Sequence, residues 1–137
     1  MNIELLEKIR KHILEEPKRI NMKTWIINPF IQTEKLSVLK KKNKAPSCNT
    51  VGCIAGWTQQ LSSKGKIKRF DLEIAREELR LTNNEANRLF LLRDMSILYH
   101  WPPYFEEELK KTNPGTRAYA RIVSARIKHF IKTKGEE

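Results

Sequence analysis

Residues 116–133 read TRAYARIVSARIKHFIKT and show the clearest helical pattern in the chain. At 100° per residue its apolar side chains fall on one arc of a helix and most of its basic side chains on the opposite side. The pattern predicts a helix with one face in a core and a basic face in solvent. The apolar arc holds Tyr119, Ile122, Val123, Ile127 and Phe130, and the basic stripe holds Arg117, Arg121, Lys128 and Lys132.

Five further helices are predicted upstream from the same periodicity and from capping residues. No stretch shows the alternation of a strand, so we predict an all-α fold, a compact single-domain bundle of five or six helices with an irregular basic loop. The predicted helices are 2–16, ended by Pro17; 51–62, after the N-cap Thr50; 71–80, capped by Asp71; 82–93, opened by Thr82 and Glu85 at capping-box spacing; and a short one from Pro102-Pro103 to Lys111.

Length and composition fit one ordinary domain over residues 1–137. The chain has 39% apolar and 31% charged residues and only two cysteines, which excludes disulfide scaffolds and low-complexity chains. No apolar run reaches the roughly 18 residues of a membrane span. The first residues show neither a basic leader nor an apolar signal core, so we expect a cytoplasmic protein with reduced cysteines and no membrane partner.

The excess of positive charge is concentrated in two parts of the chain. The total is +11, and residues 35–69 contain nine basic and no acidic side chains, whereas residues 70–108 are net negative. Such blocks focus a positive field and favour an anionic partner, although a lysine-rich solvated loop gives the same composition. The predicted anion-binding residues lie in two basic loops, 40–47 and 62–69, and in the stripe: Lys40, Lys41, Lys42, Lys44, Lys66, Lys68, Arg69, Arg117, Arg121, Lys128 and Lys132.

Arg126 interrupts the apolar arc of the last predicted helix. An unpaired charge there costs several kcal/mol, so the pattern predicts a carboxylate partner or a cavity around it. Asp94, Glu77 and Glu78 are the candidate partners. A long side chain that carries its charge to water from a buried stem is the other interpretation, and an anion-binding arginine in a pocket is the third.

The segment Cys48-Asn49-Thr50-Val51-Gly52-Cys53-Ile54-Ala55-Gly56-Trp57 resembles the signature of a family of small uncharacterised bacterial and phage proteins. Members of that family carry Cys-Gly-Thr, two variable residues and Cys-Ile-Ala-Gly-Trp, and here Asn49 replaces the glycine. The resemblance extends over nearly the whole chain, from 21–25 to the closing helix at 121–131. It implies a shared fold and a phage or bacterial context, and no reaction.

Three interpretations of the cysteine segment remain open. Cys53 in the first turn of a helix is compatible with a nucleophilic thiolate that uses His100 or His129 as its base. Cys48 and Cys53 with two histidines are compatible with a zinc site. Close helix packing is the third, and Gly52 with Gly56 leaves a groove there for a second backbone.

Two more surfaces are candidates for binding. Residues 71–93 are compatible with a helix-turn-helix motif whose second helix would contact bases through Asn83, Asn84, Asn87 and Arg88. The acidic residues around them argue against this interpretation, because they would repel phosphates. The aromatic cluster Tyr99, Trp101 and Tyr104 is compatible with a partner-binding platform or with core packing.

We therefore expect a small non-catalytic basic protein that binds an anionic partner, nucleic acid in the first place. The alternatives are a phage-type accessory protein that modulates a host protein, and a cysteine-dependent enzyme or zinc protein around Cys53. No Gly-rich phosphate loop or catalytic signature is present, so we predict no catalytic residue, metal or cofactor.

Overall fold

Helices form nearly all of the regular structure in the computed structural model, which describes residues 1–23, 52–62 and 71–137. No strand occurs in these residues, so the all-α prediction is confirmed. The helices are α1 (Ile3–Glu15), a 3₁₀ helix (Pro17–Arg19), α2 (Ile54–Ser62), α3 (Leu72–Leu79), α4 (Asn83–Phe90), α5 (Pro103–Lys110) and α6 (Arg117–Lys132).

The capping residues predicted for α3 and α4 are confirmed. The side chain of Asp71 accepts a hydrogen bond from the amide of Glu73, and Thr82 and Glu85 form a complete capping box. Helix α4 ends at Phe90, three residues before the predicted end, because Leu91 adopts an extended backbone. A turn at Pro114-Gly115 separates α5 from α6.

Helix α2 begins at Ile54, three residues later than predicted. Gly52 forms an isolated parallel bridge with Ile20, in which its amide donates to the carbonyl of Arg19 at 2.8 Å and its carbonyl accepts from Asn21 at 3.1 Å. These bonds hold the backbone of Gly52 outside the helix. A second backbone does approach at this glycine, whereas the predicted N-cap Thr50 lies outside the described residues.

Helices α1 and α6 pack along each other and form the centre of the core. The apolar face of α1 is buried, and α1 also packs on α2, while α6 packs on α5. Ile122 lies at the edge of the core rather than inside it. The buried side chains of α1 and α6 are Leu5, Leu6, Ile9, Ile13, Tyr119, Ala120, Val123, Ser124, Arg126, Ile127 and Phe130.

Trp57 ties α2 to the end of α1. Its ring is fully buried, and its indole N–H donates to the carbonyl of Arg19 at 2.8 Å. The ring of His12 packs edge-on against it at 4.3 Å between centroids. The guanidinium of Arg19 donates to the carbonyl of His12 at 2.9 Å and lies 3.3 Å from the His12 Nδ1. Nδ1 therefore serves as an acceptor, which requires a neutral imidazole.

The neutral state of His12 makes stability depend on pH. Burial and the nearby Arg19 lower the pKa of His12 to about 4, whereas an unfolded histidine titrates near pH 6.5. Between these values the unfolded chain binds the extra proton, so stability is lost as the pH falls from about 6.5 to 4. We expect a loss of at most about 3 kcal/mol in the free energy of unfolding over this range. Urea unfolding of the wild type and His12→Gln at pH 7 and pH 4.5 measures it. An equal loss of unfolding free energy between pH 7 and pH 4.5 in the wild type and in His12→Gln would contradict this prediction.

Gly135 lies just beyond the end of α6 in a conformation that favours glycine. Its φ is +77°, and its amide donates to the carbonyl of Phe130 at 3.0 Å, which closes the helix end. A Cβ at Gly135 would lie 2.9 Å from Cγ of Glu85 and 3.2 Å from the Phe130 ring. Glu85 belongs to the capping box of α4, so neither neighbour yields without loss.

Substitution of Gly135 by alanine tests this packing against a matched control. Gly115 also has a positive φ, +85°, but a Cβ there meets nothing within 4 Å. Gly115→Ala thus reports the backbone cost alone, about 1 kcal/mol. We expect Gly135→Ala to cost at least about 1 kcal/mol more, since it adds steric overlap. Equal losses in denaturant unfolding would show that the tail is not packed on α4.

Candidate anion-binding surface and buried arginine site

The basic stripe lies on the solvent side of α6. Arg117, Arg121, Lys128 and Lys132 are all exposed, and the four side chains are called the α6 basic face below. None of them forms an ion pair within the described residues. The buried side chains of α6 lie on the opposite side of the helix, so core packing leaves these four charges in solvent.

The α6 basic face borders α1 at Ser124. Arg10 of α1 donates from Nε to the carbonyl and the hydroxyl of Ser124, each at 3.2 Å. Glu7 neutralises Arg10 through a 2.6 Å contact. Arg10 therefore fixes α1 against α6 and adds little free charge to the face.

The other predicted anion-binding residues lie outside the described residues. These are Lys40, Lys41, Lys42, Lys44, Lys66, Lys68 and Arg69. Their participation stays a prediction. Ser62, the first residue of the second predicted loop, belongs to α2.

Arg126 has a carboxylate partner, but the candidates proposed from the sequence are wrong. Its guanidinium is fully buried and forms a two-pronged contact with Glu137, in which Nη1 donates to Oε2 at 2.8 Å and Nη2 contacts Oε1. Nη2 also donates to the carbonyl of Arg88 at 2.8 Å. Asp94 instead pairs with Lys23 at 3.2 Å on the surface. Burial lowers the pKa of Arg126, and Glu137 opposes that shift.

Of the two interpretations of the aromatic cluster, core packing holds for Trp101. Trp101 is fully buried, and its indole N–H donates to the carbonyl of Leu89 at 2.8 Å, so it belongs to the core and cannot present its ring to a partner. Tyr99 is partly buried, with the guanidinium of Arg88 over its ring at 5.7 Å. Tyr104 alone of the three is well exposed, at 67%.

A surface that the sequence reasoning missed lies just before this cluster. Ile97 and Leu98 are 91% and 83% exposed, and Met95 beside them is 45% exposed. Large apolar side chains at such exposure, three within four residues, form a small patch. The available signal was the three apolar residues in 95–98, between Asp94 and the paired prolines, in a stretch without helical periodicity.

The contacts of Arg88 argue against the helix-turn-helix interpretation. Arg88 donates from Nη1 to the carbonyl of Gly135 at 2.8 Å and covers Tyr99, so it is not directed to solvent. Asn83 and Asn84 are exposed, but the exposed acids Glu73, Glu77 and Glu78 belong to the preceding helix. An ordinary helical hairpin accounts for these residues.

Cys53 lies immediately before α2 and is buried. The amide of Gly56 donates to its sulfur at 3.4 Å, but burial dominates and raises the pKa of the thiol. His100 and His129 contact Glu106 and Glu137 instead. Among the described residues, no three histidine, cysteine or acidic side chains are arranged to hold a metal ion. Cys48 lies outside these residues.

A cleft of about 350 Å³ separates residues 21–23 from the end of α5. Its wall contains Lys23 and Lys110 but also Asp94 and the buried Glu106. The mixture of signs distinguishes this cleft from the α6 basic face.

Comparisons with models of protein families, with curated proteins and with solved structures give no match. The resemblance to the cysteine-signature family therefore stays a prediction. Within the described residues, no helix is long and apolar enough to cross a membrane.

The environment of Cys53 predicts a slow thiol. In a Cys48→Ser background, Cys53 is the single cysteine, and we expect iodoacetamide at pH 8 to alkylate it about tenfold or more slowly in the native protein than in urea. Buried, protonated sulfur is the reason. Native alkylation faster than that of the unfolded thiol would instead establish a reactive thiolate and restore the cysteine-enzyme hypothesis.

Proposed function

We propose that this chain is a small non-catalytic protein that binds nucleic acid through the α6 basic face. The observation that carries the proposal is that four basic side chains on one side of one helix are exposed and unpaired within the described residues. Each such charge that meets a phosphate releases a condensed counterion and gains affinity. Two of the four are lysines, which suit diffuse phosphate attraction rather than base reading.

The dimensions of the α6 basic face fit a polyanion better than a small anion. Arg117 and Lys132 are fifteen residues apart, so the face spans about 22 Å along the helix. This equals the axial length of about six base-pair steps. Four phosphate contacts predict a salt slope near −4 and little sequence preference.

The distribution of charge among the helices favours α6 over α3 as the phosphate-binding element. Residues 70–108 carry nine acidic and four basic side chains, and Glu73, Glu77 and Glu78 of α3 are exposed. The exposed carboxylates of α3 repel phosphates, whereas the α6 basic face attracts them. The lysine-rich loops, if they join α6, extend the same surface. The proposed setting is the cytoplasm of a bacterial or phage-infected cell, as the signature suggests.

Removal of two charges from the α6 basic face tests the proposal. We expect Arg121→Gln/Lys128→Gln to weaken binding to labelled random DNA and RNA, and to reduce the slope of log K against log salt by about 2 between 50 and 200 mM. The matched control is Lys8→Gln/Arg80→Gln, which removes one lysine and one arginine that are exposed and lie outside α6. The control should keep the wild-type slope.

Two results would contradict the proposal. The first is the absence of binding at 50 mM salt. The second is an equal loss of slope in both double variants, which would mean that net charge alone attracts the polymer and that α6 is no binding face.

A second candidate function has its own supporting observation. The exposed apolar side chains of Met95, Ile97 and Leu98 suit binding to an apolar surface of a partner protein. This corresponds to the accessory-protein hypothesis, with 95–98 in place of Trp101. Such binding would respond weakly to salt, which separates it from the first candidate.

A further inference from the structure

The site around Arg126 is built as a receptor for a carboxylate. Nη1 and Nη2 each contact one oxygen of Glu137, which is the fork geometry that arginine adopts with carboxylates. His129 adds its Nε2 at 3.2 Å from Oε2. The carboxylate of Glu137 thus contacts three nitrogen atoms, and the side chain of Glu137 is only 6% exposed.

The walls of the site are aromatic. The guanidinium carbon of Arg126 lies 5.5 Å from the ring centre of Phe130, 5.7 Å from Trp101 and 5.8 Å from Phe105. Such faces attract a cation and exclude water, so little solvent screens the attraction between the guanidinium and a carboxylate. Nε is buried without a hydrogen-bond partner among the described residues, so the guanidinium depends on its Nη contacts.

The occupant comes from a segment beyond the helix rather than from a core element. Residues 134–137 turn back over the end of α6, and Arg88 holds the carbonyl of Gly135 at 2.8 Å. Arg126 and the three aromatic rings are set by α5, α6 and the approach to α5, whereas Glu137 reaches them from the tail. The receptor and its occupant therefore belong to separate parts of the fold.

We propose that the Arg126 site is a carboxylate-binding site that Glu137 occupies as an internal ligand, and that it accepts an external carboxylate when Glu137 is absent or displaced. The ligand chemistry is a single carboxylate on a short aliphatic stem. A free small acid and an acidic side chain of a peptide both supply it. In the wild type Glu137 competes at a high effective concentration because it is tethered.

Chemical rescue tests this proposal at pH 7.5. Glu137→Ala removes the internal carboxylate and leaves space for another. We expect sodium propionate to raise the Tm of Glu137→Ala saturably by about 3 °C or more over sodium chloride of equal ionic strength. The wild type should respond less. Acetyl-glutamate amide forms a second arm, which presents the same group on a peptide backbone.

Glu137→Gln is the matched control, because its side chain fills the space that propionate would use. It should show no saturable rise. A rise for Glu137→Ala with either probe supports the proposal, and the probe that acts assigns the source as a free acid or an acidic peptide. No rise with either probe, or an equal rise in Glu137→Gln, overturns it.

A second measurement covers the case in which Glu137→Ala does not fold in chloride. The variant is then refolded in propionate and in chloride, and recovery of helical circular dichroism in propionate alone supports the proposal. Failure in both overturns it. In folded protein, the Nε–H resonance of Arg126 provides a local readout, since this buried group should shift with propionate in Glu137→Ala and remain unchanged in Glu137→Gln.

Discussion

The burial of the Arg126 guanidinium is the constraint on which the arrangement of α4, α5, α6 and the tail depends. A charge removed from water must be paired and hydrogen-bonded, or the protein loses several kcal/mol. Here the carboxylate of Glu137, the carbonyl of Arg88 and three aromatic rings meet that demand together. Because these groups come from different elements, the arginine links residues 134–137 to α4, to α5 and to Trp101 before α5.

Local signals in the sequence were sufficient for the helices. The apolar periodicity of α1 and α6, the side chain of Asp71 and the Thr82–Glu85 pair each act within a few residues, so spacing alone determines them. The late start of α2 was not accessible in this way. It results from the bridge between Gly52 and Ile20, a contact between residues that are 32 positions apart.

The candidate sites also differ in whether local spacing or contacts between distant residues determine them. The α6 basic face follows from the helical spacing of its four residues, which is why the sequence placed it on the solvent side. The partner of Arg126 could not be chosen from sequence, because several carboxylates satisfy the charge and only the turn at Gly135 brings Glu137 into contact. The choice between platform and core packing for Trp101 stayed open for a related reason: an aromatic residue next to prolines has the same sequence pattern at a surface and over a buried carbonyl such as that of Leu89.

Helix α6 joins the two sites. Its core side carries Arg126, and its solvent side carries the four charges of the α6 basic face. Basic side chains of one helix therefore have opposite requirements for an internal partner. The buried arginine requires a fixed carboxylate at hydrogen-bond distance, since no solvent screens it. The exposed charges gain most from having no fixed partner, because an internal ion pair would have to be broken before a phosphate could bind. Burial therefore determines whether a basic side chain of α6 needs an internal carboxylate. Arg126, on the side where water is excluded, is paired with Glu137, and the exposed basic side chains are not.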